Sequence, residues 1–235
     1  MIVTDRFAFL HLHKSGGSFV NEFLLRFVPG AREIGYHLPR ALIPPTHSSL
    51  PVLGFVRNPW SYYVSWYAFQ SQIPRPNPLF RTLSQDGRLN FDATLRHMLD
   101  LGAGSPLLDP LITALPTTYI NRGLNLPGTV LTSIRNSGVG FYTFLHRYMF
   151  GAGGRLLRVG RMEHLRHDLL SMMASVGQPV SDAANSYVLA REPSNGSTHS
   201  DYTNYYDASL RHLVAERDAE LIEKYTYRFG EPVVA

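Results

Sequence analysis

The chain of 235 residues contains no cysteine. That excludes a disulfide framework, thiolate zinc sites and iron–sulfur ligation. Lysine is almost as scarce: of 22 basic residues only Lys14 and Lys224 are lysines, and the others are arginines. A GC-rich genome accounts for the bias, but it makes the place of each lysine informative. No apolar run reaches the roughly 18 residues a transmembrane helix needs, so no membrane span is expected. The apolar stretch Phe7–Leu12 is too short for the core of a signal peptide, and a cytoplasmic, bacterial protein is expected. A strong excess of one charge is also missing. Basic and acidic residues number 22 and 18, for a net +4, and the arginines are scattered rather than blocked. No nucleic-acid partner or basic membrane arm is expected from this balance.

What is present reads as one α/β domain spanning residues 1–235. Hydrophobic residues make up 44% and charged residues 17% of the chain, an ordinary composition for a folded domain with a substantial core. Arg6–Leu12 reads as a buried strand. A turn, His13-Lys14-Ser15-Gly16-Gly17-Ser18, leads from it into a segment with apolar residues at 20, 23, 24, 27 and 28, the helical period, stopped by Pro29-Gly30. Pro51–Val56 is a second short apolar strand; Arg57-Asn58-Pro59 follows, with Pro suited to the first turn of a helix through about Phe69. Residues 72–89 and 102–136 read as loops, and Asp92–Leu101 and Phe141–Phe150 as helices. Arg155–Val159 reads as a third core strand. Met162–Val176 reads as a helix closed by Gly177, and roughly Tyr205–Tyr227 as one long amphipathic helix. No internal repeat is visible.

A turn between a buried strand and a helix N-terminus presents backbone N–H groups and the positive end of the helix dipole to an anion. Gly16 and Gly17 allow close approach, Ser18 offers a hydroxyl and Lys14 a full charge, so a phosphate cradle stands beside the plainer reading of a glycine turn with an exposed lysine. The order differs from G-x-x-x-x-G-K-[ST], in which Lys follows the glycines. Arg57 stands at the end of the second strand, in a region where nucleotide triphosphatases usually place a metal-binding Asp. The combination points to a doubly phosphorylated nucleotide handled without metal.

These residues resemble the sulfotransferases that use 3′-phosphoadenosine 5′-phosphosulfate (PAPS). Lys14-Ser15-Gly16-Gly17-Ser18-Phe19 is similar to the family's 5′-phosphosulfate loop. Arg57-Asn58-Pro59, with Ser65-Trp66-Tyr67, resembles the 3′-phosphate motif R-[ND]-P-x5-S-x-Y. Between them His37-Leu38-Pro39 through Pro44 is similar to H-L-P-x-x-L-[LI]-P, whose His is the base of cytosolic members. The likeness is good over about residues 7–70. It is thinner at Arg158–Leu165, similar to the third strand and helix start, and at Ser197–Tyr206, similar to the C-terminal section of carbohydrate-type members. Two features depart: the loop R-K-G-x-x-G-D-W-K is missing, leaving its role to a segment such as Asn195–His199, and the Lys two residues before the base His is Gly35 here.

The resemblance implies a three-layer P-loop-like α/β fold, with a central parallel sheet flanked by helices and the cofactor at the carboxyl ends of the strands. It implies metal-independent, in-line transfer of a sulfuryl group from PAPS to a hydroxyl of a glycan or small molecule, leaving 3′,5′-ADP. Lys14 would sit on the bridging or 5′-phosphate oxygens and Arg57, with Ser65, on the 3′-phosphate. Phe19 fills the place of an adenine-stacking aromatic, or else belongs to the core. His37 would be the base, with His47 and Glu33 as substitutes. Tyr62, Tyr63, Trp66 and Tyr67 either line the acceptor pocket or form core. The alternatives are a P-loop kinase or hydrolase, and a catalytically silent nucleotide- or glycan-binding module.

Overall fold

The computed structural model describes residues 1–191 and 198–231. The chain opens with β1 (Ile2–Val3), turns, and returns as β2 (Ala8–Leu10). Thr4 holds the turn, its hydroxyl accepting from the amides of Arg6 and Phe7 at 3.1 and 3.0 Å, a local competition with longer strand pairing that threonine makes readily. There follow α1 (Gly17–Phe27), β3 (Arg32–Glu33), β4 (Val52–Val56), α2 (Pro59–Gln72), α3 (Pro78–Leu83), α4 (Phe91–Leu99), α5 (Leu108–Ala114) and α6 (Gly128–Leu131). The chain continues with α7 (Phe141–Phe150), β5 (Leu157–Arg161), α8 (Leu165–Ser175), α9 (Asp182–Ala190), α10 (Ala208–Arg217) and α11 (Ala219–Lys224).

The strands form one sheet in the order β3-β1-β2-β4-β5. β2, β4 and β5 are parallel, with Ala8 opposite Val52 and Val52 opposite Leu157. β1 is antiparallel to both β2 and β3. Two reversals leave β3 running in the direction of β2, so the chain leaves β2, β3, β4 and β5 at one edge of the sheet. The expected α/β class with a central sheet flanked by helices holds; the antiparallel margin of β1 and β3 is an addition. Alternation along β4 sends Leu53 and Phe55 to one face, where they pack with Phe9, Phe23, Leu24, Leu169, Met173 and Val188 of β2, α1, α8 and α9. Each such side chain contributes about 1.5–3 kcal/mol by leaving water. Buried Phe150, at the end of α7, lies against Gly54 on the opposite face.

Two compact units emerge, residues 1–57 with 146–191 and residues 58–145 with 198–231. The first holds the sheet with α1, α8 and α9. The second is helical, with α2 buried on most of its sides. Tyr62 stacks on Tyr142 with ring centroids 3.7 Å apart. The Tyr63 hydroxyl donates to Asp218 at 2.7 Å, and the Thr143 amide and hydroxyl donate to the same carboxylate at 2.9 and 2.6 Å.

Asp218 explains one correction. It stands between α10 and α11 with φ −109°, so the long helix expected over Tyr205–Tyr227 is two helices preceded by a short 3₁₀ turn at Tyr202–Tyr205. The segment read as loop over 72–89 contains α3, begun by Pro78 and capped by Asn77, whose side chain accepts from the Phe80 amide at 2.9 Å. The loop over 102–136 contains α5 and α6, and β5 lies two residues later than Arg155–Val159. Among the described residues no helix is long and apolar enough to cross a membrane.

Candidate active site

The turn from β2 into α1 is built as the sequence suggests. Lys14 and Gly16 both take left-handed backbone, φ 57° and 79°, and Gly16 caps α1 with no side-chain hydrogen bond. This leaves the first-turn amides of α1 directed outward. A glycine is required at 17 for a different reason: a Cβ there would come within 1.9 Å of the His11 ring. Ser15 is buried and its hydroxyl donates to the His13 carbonyl at 3.2 Å, bracing the turn from inside. Ser18 is exposed on the first turn of α1. Phe19 lies in the core and stacks on Tyr187 with centroids 5.8 Å apart, so the loop is seated on the sheet from below.

Parallel pairing of β2 and β4 brings Arg57, the residue after β4, to the same edge. Its Nη1 donates to the Lys14 carbonyl at 3.4 Å. Burial, and then the Arg57 charge, lower the Lys14 ammonium to about 8. Two cations placed together in a partly dry site destabilise each other, and an anion between them would relieve both. Next in sequence, Asn58 caps α2, accepting from the Trp60 amide at 3.1 Å, with Pro59 in the first turn. The Arg-Asn-Pro run is thus a strand end, a cap and a helix start.

β3 ends at the same edge, and His37 follows it by four residues. His37 is buried, with φ 48°. Among the described residues outside glycine, only Lys14, His37, Gln85 and Thr226 take positive φ without being Asn or Asp, the types that tolerate it. Two of these four are the catalytic candidates, in keeping with the gathering of strained backbone at functional sites. His37 Nδ1 lies 2.6 Å from the His11 carbonyl. A carbonyl only accepts, so Nδ1 carries the proton and Nε2 keeps the lone pair. Burial above all, then neighbouring His13 and His11, hold His37 well below the usual histidine range, so the ring is held in its neutral form.

Around it stand three rings that the motif reading passed over. His13 stacks on His37, centroids 3.6 Å apart and planes at 21°. His11 and Tyr36 lie at 4.3 and 4.0 Å. His11 is pushed down to about 3, first by burial and then by His13. The signal was in the sequence: two histidines spaced i, i+2 just after an apolar strand share a face. The substitutes for His37 lie elsewhere. Glu33 is exposed on the edge strand β3, and His47 is partly exposed with Nδ1 2.8 Å from the Thr46 hydroxyl.

Ser65 is buried on α2 in the second unit. Tyr62, Tyr63 and Trp66 are buried in that unit's interior, whereas Tyr67 lines a cavity of about 210 Å³ with Gln70, Ser71, Phe80, Arg81 and Asp86. Of Asn195–His199, residues 195–197 lie outside the described residues. Arg158–Leu165 forms β5 and the start of α8, and Leu165 lies beside Gly16. Lys224 is exposed on α11, 5.5 Å from the centre of the Tyr225 ring.

No family model and no curated protein matches the chain. Among solved structures the chain is similar to mouse sulfotransferase SULT7A1 crystallised with PAP, with a TM-score of 0.54 and 12% identity. The match covers 94% of this chain and 89% of that one. At this identity the likeness is one of fold, and it places the chain among α/β proteins with the sheet and helix arrangement of a sulfotransferase.

Proposed function

We propose that the chain is a sulfotransferase that uses PAPS and sulfates a hydroxyl of a glycan or small-molecule acceptor. The observation that carries this is the convergence of Lys14, Arg57 and neutral His37 at the carboxyl edge of the sheet. The fold it shares with a PAP-bound mouse enzyme supports the reading. The two units serve one catalytic domain: each is assembled from separated stretches of chain, so neither is a contiguous fragment.

In this reading His37 Nε2 accepts the proton of the acceptor hydroxyl as its oxygen bonds to sulfur. The bond from sulfur to the bridging phosphate oxygen breaks, its electron pair stays on 3′,5′-ADP, and Lys14 meets the charge that grows there. Such a preorganised cation contributes most where charge develops in the transition state. Arg57 offers a planar fork to the 3′-phosphate. Gly16, Gly17 and the Ser18 amide provide the rim of the 5′-phosphate loop, with Ser15 and Phe19 fixing that loop from beneath. Ser65 is carried over from the motif alone, as a donor to the 3′-phosphate. No step calls for a metal ion, and the protein is expected in the bacterial cytoplasm.

A thermal-shift series in EDTA tests the reading, comparing 3′,5′-ADP with 5′-AMP, and then ADP or ATP with magnesium. Stabilisation by 3′,5′-ADP above the others is expected. Stabilisation only by nucleotide with magnesium would instead favour a kinase or hydrolase. Screening glycans and phenols with PAPS then finds the acceptor; nucleotide binding with transfer to none of them would favour a silent module.

A further inference from the structure

We propose that His13 is a positioning residue for His37, its ring the flat support that holds the His37 imidazole in one orientation with Nε2 available. The inference rests on the reading of His37 as the base, and it adds the part that makes that base a specific nitrogen.

The geometry has two halves. The hydrogen bond from Nδ1–H to the His11 carbonyl, at 2.6 Å, selects the tautomer and one edge of the ring. A single hydrogen bond still lets a ring rock about its own axis. The parallel face of His13, with centroids 3.6 Å apart and planes at 21°, removes that freedom. Tyr36 closes the side with an edge-on ring at 4.0 Å. These contacts also hold the backbone of His37 at its left-handed φ of 48°, a conformation an unsupported histidine leaves readily.

His11 and His13 leave β2 on one face, so one short segment supplies the carbonyl that sets the tautomer and the ring that sets the plane. The same segment ends in Lys14. Movement of the base and movement of the phosphate loop are therefore tied through the four-residue segment from His11 to Lys14, with Gly17 making room for the His11 ring. The groups facing His37 that carry or can gain charge are His11, His13, Tyr36 and the Met1 amino group. A proton arriving on either stacked ring opposes one on the other, so this pair favours the neutral base.

The test is the long-range ¹⁵N–¹H spectrum of the histidine side chains in the whole protein, recorded across pH 5 to 8 without nucleotide. Wild type is expected to show His37 as the Nδ1–H tautomer, untitrated over most of the range. In His13→Ala the signal should become a tautomer mixture, and its titration should move up toward the ordinary histidine range. His13→Phe keeps a flat face and should keep the Nδ1–H tautomer. A wild-type Nε2–H tautomer overturns the proposal, as does an unchanged His37 signal in His13→Ala. Should His13→Ala fail to fold, loss of the Nδ1–H tautomer in His13→Phe overturns it as well. Calorimetry of wild type with 3′,5′-ADP separates the two levels: absent binding there defeats the sulfotransferase reading, whereas the tautomer experiment judges His13.

Discussion

The two units bury polar groups in opposite ways. In the second, the Asp218 carboxylate is met by the Tyr63 hydroxyl and by the amide and hydroxyl of Thr143, at 2.6 to 2.9 Å. Acceptor and donors match, and the cluster ties α2 and α7 to the break between α10 and α11. In the first, like meets like: the Arg57 charge bears on Lys14, and three histidines crowd together in the neutral state. A matched cluster stabilises a fold by itself. A cluster of cations and neutral bases costs the free protein stability, and that cost is offset when an anion binds. The contrast marks the first unit's cluster, and not the second's, as the one suited to an anion, without reference to any motif.

Substitutions sharpen the contrast. The largest effect is expected from Lys14→Ala, which should slow sulfate transfer about 10²- to 10³-fold, the usual loss for one transition-state charge partner, measured with radiolabelled PAPS and the acceptor found by screening. Asp218→Ala should act on the other property. It strands three buried donors and should cost about 3 kcal/mol in urea unfolding, whereas an equal loss from Lys14→Ala would erase the distinction. Arg57→Ala should weaken 3′,5′-ADP about 10- to 100-fold by calorimetry and leave 5′-AMP much less affected, since only the former carries the 3′-phosphate.

A smaller effect concerns pH. The folded Lys14 value of about 8 lies below its ordinary 10.5, so between these the unfolded chain binds the extra proton. The free protein then gains stability from this group as pH rises from 8 to 10.5 and loses it as pH falls through 8. Nucleotide binding has the opposite sign, because the anion favours the ammonium. The thermal shift from 3′,5′-ADP should therefore shrink from pH 7.5 to pH 9, and Lys14→Met should flatten the trend. Smallest of all, Lys224→Ala should change stability by no more than about 0.5 kcal/mol, as befits an exposed lysine over an aromatic ring.

Much of the first unit was legible in the sequence because its signals are local. Buried strands β2 and β4, the glycine turn and helix α1 each declare themselves within a dozen residues, as does α2 in the second unit. The two-residue strands β1 and β3 did not, since a pair of residues has no period and pairing depends on the Thr4 turn. α9 escaped because only Ala184 and Val188 are buried along it. The break at Asp218 was hidden by an apolar period that continues across it; what ends the helix is a carboxylate held by residues from α2 and α7. The same limit applied to the site. Lys14, Arg57 and His37 were visible through motif spacing, but the His11 carbonyl and the His13 ring became meaningful only when strand direction brought the end of β3, across β1, to the same side of the sheet as the end of β2. Glu33 and His47 stood in sequence as substitutes for His37, and they are more exposed than His37.

The most direct test of the central claim is a crystal structure of the protein with 3′,5′-ADP, grown in EDTA. The account predicts the 5′-phosphate on residues 14–18 with Lys14 Nζ in contact, and the 3′-phosphate on the Arg57 guanidinium. A nucleotide bound elsewhere, or one whose phosphates touch neither Lys14 nor Arg57, would contradict it.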